Sequence, residues 1–243
     1  AISFTKITVS FGWTVSRLMI TDMNGFELAP GAQHDLRVYA LGPSWIEWQG
    51  QTLSIHRRQA RALLYCLAAR LEPVPRERIC FNFWSDKPDA QARRHFSHLL
   101  SHLRRALPDP SLLRSINDAV LLDPNRVWCD AVAFRKACAH LDAAHFHILE
   151  RAVQLYRGPF LSGFSISDAP EFELCMGEQR STCERLYLDA LRALINAETA
   201  RLDYSRAIQY ARVYLDIEAM AEDIHRNLLV LHLLNGDRPA ALQ

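Results

Sequence analysis

The order of predicted elements between residues 36 and 122 constrains the fold of this chain more than any other feature. Leu36–Gly42 has the pattern of a strand, and Trp45–Ile55 has that of a hairpin with Gln49-Gly50 in its turn. The three helical patterns that follow cover Arg57–Leu71, Arg76–Trp84 and Asp89–Leu107. The second hairpin is formed by Leu112–Ile116 and Val120–Leu122. Strands, three helices and a hairpin in this order predict a winged helix-turn-helix, in which the third helix is the recognition helix.

The third helical pattern has two faces of opposite character, and Asp89 is its expected N-cap. One face is an apolar stripe formed by Phe96, Leu99, Leu100, Leu103 and Leu107. The other face gathers Arg93, Arg94, Ser97, His98, Ser101, Arg104 and Arg105, with His95 and His102 at its edges. Exposed helices usually mix acidic with basic residues, but no acidic residue follows Asp89 in this helix. The pattern therefore favours contact with DNA over a merely solvated face.

The charge of the chain is divided unevenly along its length. The net charge is only +1, yet residues 36–107 carry 12 basic and 5 acidic residues, whereas residues 141–243 carry 10 basic and 15 acidic residues. A basic part joined to an acidic part is typical of a protein in which only one part meets a polyanion. Arg57 and Arg58, at the start of the first helix, are candidate phosphate contacts.

The chain is predicted to be entirely helical after residue 130. The helical patterns cover Ala131–His140, Ala143–Arg157, Glu171–Arg201, Ser205–Leu215 and Ala221–Asn235, and a further helix is expected near Pro239. The segment Asp203–Gln209 returns as Asp237–Gln243 at an offset of 34 residues, which is the period of tetratricopeptide helix pairs. The predicted fold is therefore mostly α with a small β component: a winged helix-turn-helix domain and then an all-α tetratricopeptide-like domain.

Composition excludes several classes of protein. About half of the 243 residues are hydrophobic, and Gly and Pro together number only 20, which excludes a disordered or collagen-like chain. No apolar run approaches a membrane span, and the six cysteines lack a C-x-x-C pair, so reduced thiols and a cytoplasmic location are expected. Residues 1–35 are an unassigned linker or hairpin, and the start at Ala1 suggests a piece of a longer protein.

No pattern of catalysis or cofactor binding is recognisable in the sequence. Neither a nucleophile elbow nor a phosphate-binding loop occurs, so we expect a non-enzyme without a cofactor. His98 and His102 have a spacing that can chelate zinc, but no third ligand lies nearby, and no metal site is expected. Tyr156, Phe160, Phe164 and Phe172 could line a ligand pocket, although packing between helices is the favoured interpretation.

Four segments of residues 36–134 resemble a known family of bacterial regulators. They are LRVYALG, RRQARALLYCLAA, FWSDKPDAQARRHFSHLLSHLRRAL and VWCDAVAF, and they resemble the OmpR-like winged helix of SARP-type transcriptional activators. YRGPFLSGF, EQRSTCERLYLDALRAL and the 34-residue repeat resemble the bacterial transcriptional activator domain that follows in that family. The resemblance implies an OmpR-like winged-helix domain at residues 36–130 and a tetratricopeptide-like domain, truncated at its end, at residues 131–243.

The resemblance also implies a function. Members of the family are sequence-specific DNA-binding activators that bind direct repeats as dimers and contact RNA polymerase, here through the loop Ser85–Pro88. Helix residues Arg93 to Arg105 would enter the major groove. The wing departs from the family pattern of Gly, Tyr and a basic residue, because it reads Asn117-Asp118-Ala119-Val120-Leu121 and has only Arg114 and Arg126 nearby. The predicted DNA-binding residues are Arg57, Arg58, Arg93, Arg94, Ser97, His98, Ser101, His102, Arg104, Arg105 and Arg114.

A second function remains open at this point. The acidic tip of the wing favours a protein-interaction scaffold whose winged helix no longer reads DNA. The cationic third helix argues against this alternative, because it lacks apolar anchors for a peptide. The loop Gly158-Pro159-Phe160 is expected to fold back over the helical domain and to fix how the two domains meet.

Overall fold

The computed structural model describes residues 29–31, 34–139 and 146–237. Most of the expected N-terminal linker, its Asn24-Gly25 turn and the helix expected near Pro239 lie outside the described residues. The second copy of the 34-residue repeat is described only at its first residue, Asp237.

The described chain begins with a four-stranded sheet in the order β3-β2-β1-β7. β1 (Leu36–Tyr39), β2 (Trp45–Trp48) and β3 (Gln51–Thr52) are antiparallel neighbours, as the sequence predicts, although β3 ends three residues earlier than expected. The fourth strand, β7 (Val127–Cys129), pairs in parallel with β1, and the sequence pattern did not indicate it. Because β7 leads directly into the helical domain, this sheet ties the start of one domain to the start of the other.

The winged helix follows with the three helices in the predicted places. They are α1 (Arg58–Ala68), α2 (Arg76–Trp84) and α3 (Asp89–Ala106). The wing is a sheet of order β4-β6-β5, formed by β4 (Val74–Pro75), β5 (Leu113–Ile116) and β6 (Ala119–Leu122). The expectation that Asp89 caps α3 is wrong: the N-cap is Pro88, whose φ of −58° and ψ of 143° place it outside the helix, and Asp89 is the first helical residue.

Five helices make up the rest of the described chain. They are α4 (Asp130–Cys138), α5 (Phe146–Leu155), α6 (Pro170–Ala200), α7 (Tyr204–Ile217) and α8 (Glu222–Leu234). The 31-residue α6 packs against α4, α5 and α7, and α7 packs against α8. Asp203 caps α7 by accepting a hydrogen bond from the backbone N–H of Arg206 at 3.1 Å. The predicted fold class, mostly α with a small β component, is confirmed.

A buried carboxylate joins the two domains. Asp130, which is 1% exposed, accepts hydrogen bonds from the backbone N–H groups of Ala40 (2.7 Å), Leu41 (3.1 Å) and Ala131 (2.7 Å). Its Oδ2 also accepts a hydrogen bond from Nη2 of Arg157 at 2.7 Å. The first residue of α4 thereby holds the segment that follows β1 and the segment that follows α5.

The loop after α5 lies where the two domains meet, as predicted, but it does not fold back over the helical domain alone. It accepts a hydrogen bond from Arg180 of α6 and also pairs with the segment that follows β1. The backbone N–H of Leu161 donates to the carbonyl of Ala40 at 2.7 Å, and that of Ser162 donates to the carbonyl of Gly42 at 3.0 Å. Gly42 has a φ of +95°, and a Cβ there would lie 3.1 Å from the Arg157 carbonyl. Only glycine therefore suits this close approach of the two chain segments.

The aromatic residues of this region pack across the domain junction. The ring centroids of Phe164 and Tyr65 of α1 are 5.2 Å apart, and those of Phe172 and Phe83 of α2 are 5.3 Å apart. Phe160 is fully buried. The interpretation of these residues as packing groups is confirmed, and the two domains share one continuous hydrophobic core.

Candidate nucleic-acid interface

The apolar face of α3 is buried against the rest of the winged helix. Its stripe of Phe96, Leu99, Leu100, Leu103 and Leu107 is at most 4% exposed. Removing these side chains from water fixes the rotation of α3 about its axis, because a helix turns about 100° per residue. The opposite side of α3 must therefore face solvent.

The centre of the solvent face is a straight row of five residues. Gln91, Arg94, His98, Ser101 and Arg105 follow one another at intervals of three or four residues, and all five are exposed. We call this set the outward row. Four of its members were predicted from the sequence. Gln91 was missed, although its spacing to Arg94 and His98 gives the same signal as the others.

Hydrogen bonds within α3 occupy the C-terminal half of the outward row. Ser97 Oγ donates to the carbonyl of Arg93 at 2.9 Å, and Ser101 Oγ donates to the carbonyl of Ser97 at 2.9 Å. The guanidinium of Arg105 lies along the helix, with Nε donating to the carbonyl of Ser101 at 3.3 Å. Among the described residues, no hydrogen bond or ion pair engages the Arg94 side chain. Arg94 is therefore free to bind a ligand without breaking an internal contact.

One edge of the outward row faces the wing. Nη2 of Arg104 donates to Ser115 Oγ on β5 at 3.0 Å, so α3 and the wing are tied together beside the row. Arg93 lies at the same edge, near Cys80, where Arg76 and Asp118 also contribute to the local field. The acidic wing tip is partly neutralised here, since Nε of Arg76 lies 3.8 Å from Oδ1 of Asp118.

The other edge of the outward row faces the start of α1. Desolvation lowers the pKa of His102, and the positive charges of Arg57, Arg105 and His98 lower it further. The charge of Arg57, the N-cap of α1, thus acts on this edge of α3. A neutral His102 at this position can offer one donor and one acceptor, whichever tautomer it adopts. His95, further along this edge, stacks on Trp84 with ring centroids 5.7 Å apart.

Arg58 does not join this surface. Its Nη2 donates to Ser165 Oγ at 3.4 Å, and its guanidinium lies 5.5 Å from the centre of the Phe164 ring. The structure therefore directs Arg58 toward the helical domain, away from its neighbour Arg57. Arg57 is the N-cap of α1 and has extended backbone, whereas Arg58 is the first helical residue, so the two neighbouring side chains leave the backbone in different directions.

The cations near the wing are partly occupied. Arg126 is held by Asp35 at 2.6 Å and by Asp109 at 2.8 Å. Arg114 is half-exposed and lies 3.6 Å from Asp123. Of the two cations that the sequence placed near the wing, Arg114 is the more available for a phosphate.

Other kinds of site find little support in the described residues. No group of three or more His, Cys, Asp or Glu side chains within them could hold a metal ion. None of the described helices is long and apolar enough to cross a lipid bilayer. The loop Ser85–Pro88 is exposed, and Lys87 Nζ pairs with Asp86 at 2.7 Å within it.

The helical part of the chain is similar to a known family. Residues 129–243 match the family model described as the bacterial transcriptional activator domain. No curated protein is significantly similar to the chain. Among solved structures, Mycobacterium tuberculosis EmbR, determined in complex with a low-affinity phosphopeptide, superposes with a TM-score of 0.64 at 24% sequence identity. The match covers 86% of this chain and 57% of the EmbR chain, so the chain spans little more than half of that protein's length. At this identity the likeness shows the fold, which is the winged helix followed by the helical domain.

Proposed function

We propose that this chain, whose residues 129–243 match the family model of the bacterial transcriptional activator domain, is a sequence-specific DNA-binding transcriptional regulator that acts as an activator. The family resemblance drawn from the sequence is confirmed for this domain and for the order of the two folds. The proposed mechanism is binding, without catalysis. α3 enters the major groove, and the neighbouring cations hold the phosphates of both strands.

The observation that carries this proposal is the composition of the solvent face of α3. The outward row contains two arginines, a histidine, a serine and a glutamine, and no carboxylate. Asp89, the one acidic residue of the helix, lies toward Cys80 at the edge that faces α2. The arginines of the row donate hydrogen bonds, and its histidine, serine and glutamine can both donate and accept them. Side chains of these kinds contact the edges of guanine and adenine.

The arrangement beside the row suits phosphate contacts. Arg57 lies at one edge, and Arg93 and Arg104 lie at the edge near the wing, whereas Arg114 of β5 pairs with Asp123. Cations on both sides of an inserted helix can reach the two phosphate backbones that border the major groove. If about six phosphates are neutralised, the logarithm of the binding constant falls against the logarithm of salt concentration with a slope near −5.

We extend the proposal to two partners. The exposed loop Ser85–Pro88 would contact RNA polymerase, as the family resemblance implies, and the chain would bind direct repeats as a homodimer. Both parts stand on the resemblance and on the exposure of the loop. Substituting Asp86 and Lys87 with alanine is expected to leave DNA binding intact and to reduce transcription in a reconstituted assay.

Selection from random duplex DNA at about 150 mM salt tests the main proposal. The wild-type chain is expected to enrich a repeated motif, and an Arg94→Ala/Arg105→Ala double variant is expected not to. The matched control is Arg185→Ala/Arg212→Ala, which removes two exposed charges from the helical domain and should enrich the wild-type motif. Equal retention of DNA by the wild type and the α3 variant would refute the proposal and favour a protein-interaction scaffold.

A further inference from the structure

We propose that Gln91 is a specificity-determining residue, which together with Arg94 selects an adenine adjacent to a guanine in each operator half-site. This inference rests on the proposed function and adds the identity of two bases to it. Gln91 stands in the first turn of α3 and at the head of the outward row.

The position of Gln91 follows from the buried face of α3. With that face fixed by Phe96, Leu99 and Leu103, Gln91 and Arg94 lie on the opposite side of the helix, about 60° apart around its axis. They are separated by three residues, or about 4.5 Å along the axis. This separation is close to the rise of about 3.4 Å between base pairs along one strand. A helix lying along the major groove therefore presents the two side chains to neighbouring base pairs.

The Gln91 side chain is free to act in this way. It is exposed, and among the described residues no hydrogen bond or ion pair engages its amide. Its backbone N–H is already satisfied by the carbonyl of Pro88 at 2.8 Å, which fixes the first turn. Ala90 beside it carries only a methyl group, so the start of α3 can approach the base edges closely.

The chemistry of the two side chains differs in a way that distinguishes bases. A glutamine amide pairs with adenine by donating to N7 and accepting from N6, whereas an arginine guanidinium donates twice to O6 and N7 of guanine. Gln91 alone among the outward row combines a strong donor and a carbonyl acceptor in one planar group. Adenine next to guanine is therefore the step that both side chains satisfy together.

The other end of the outward row is suited to a different task. Ser101 Oγ and the Arg105 guanidinium already bond to backbone carbonyls of α3, so base contacts there would replace existing bonds. Arg94 and Arg105 are about 16 Å apart along the axis, which is about five base pairs. Base reading is thus concentrated at the start of α3, and Arg105 remains a phosphate contact.

The test is selection from random duplex DNA with four full-chain proteins: wild type, Gln91→Ala, Arg94→Ala and Gln91→Arg. The wild type should enrich a motif with adjacent adenine and guanine. In Gln91→Ala, the preference for adenine over other bases should fall by about 5- to 150-fold, while the preference for guanine is retained. In Arg94→Ala, the preference for guanine should fall and the preference for adenine should be retained. Gln91→Arg should change the preferred adenine to guanine. Gln154→Ala, an exposed glutamine on α5, is the matched control and should give the wild-type motif.

The outcomes separate this inference from the proposed function. A wild-type motif that Gln91→Ala and Gln91→Arg both leave unchanged would overturn the role of Gln91 and keep the DNA-binding function. No motif from the wild type would overturn both. Thermal unfolding of each variant shows whether it is folded, and the gain of guanine in Gln91→Arg cannot arise from loss of folding.

Discussion

Removal of Arg157 tests how firmly the two domains are held together. Its guanidinium donates to the buried Asp130 at 2.7 Å and covers the Trp45 ring, with 4.0 Å between the guanidinium carbon and the ring centre. Arg157→Ala would leave the Asp130 carboxylate, 1% exposed, without its counter-charge. Breaking a buried ion pair by removing one partner costs about 3–5 kcal/mol. The backbone N–H groups of Ala40, Leu41 and Ala131 would remain bonded to the carboxylate, so the lower end of that range is expected.

Chemical denaturation in urea, followed by far-UV circular dichroism, measures this loss. Arg212→Ala, an exposed change on α7, is the control and should alter the free energy of unfolding by less than about 0.5 kcal/mol. The double variant Asp130→Asn/Arg157→Ala should lose less than the sum of the single changes, because no buried charge is then orphaned. A loss below about 1 kcal/mol for Arg157→Ala, or strictly additive single changes, would show that the contact does not hold the domains.

Three further predictions follow from single contacts. Phe160→Ala, which empties a fully buried site in the domain junction, should cost about 3–5 kcal/mol and speed proteolysis between the domains; unchanged protease resistance would contradict this. Arg104→Ala should reduce the salt slope of DNA binding by about 1 at every sequence, while Ser115→Ala, which removes only its tether, should leave the slope unchanged. Hydrogen bonds from Ser111 and Arg126 lower the pKa of the Asp109 carboxyl to about 2, so its contribution to stability is complete above about pH 4 and is lost as the pH falls toward 2. The stability of Asp109→Asn, measured against pH, should fall less between about pH 4 and 2 than that of the wild type. A pH profile equal to that of the wild type would argue against the ion pair.

Local patterns in the sequence were sufficient for the helices and hairpins of the winged helix. α2 begins and ends at the predicted residues, and the hairpin around Asn117-Asp118 forms where turn residues separate two apolar runs. β7 could not be predicted in the same way, because three residues give no periodicity and its partner β1 lies about 90 residues earlier. Pairing over that distance depends on tertiary packing, which local patterns do not contain.

In the candidate site, too, local patterns predicted some features, whereas others depend on tertiary packing. The spacing of apolar residues in α3 determined which face is exposed, and that prediction is confirmed by their burial. The different surroundings of Arg57 and Arg58 could not be predicted, since they depend on where the loop at Phe164 and Ser165 packs. The division of the chain into residues 1–35, 36–130 and 131–243 stays a prediction.

Internal partners assign different tasks to cations that look equivalent in the sequence. Arg126 pairs with two carboxylates, and Arg76 partly neutralises the wing tip at Asp118, so both are less available for a phosphate than an unpaired cation. Arg94 has no such partner among the described residues, and Arg105 donates a hydrogen bond only within its own helix, to the carbonyl of Ser101. A cation that is already paired must break that pair to bind DNA, whereas a free one loses only its hydration and side-chain freedom. The proposed DNA recognition therefore rests mainly on α3, and the acidic wing tip, being paired with Arg76, is compatible with that proposal.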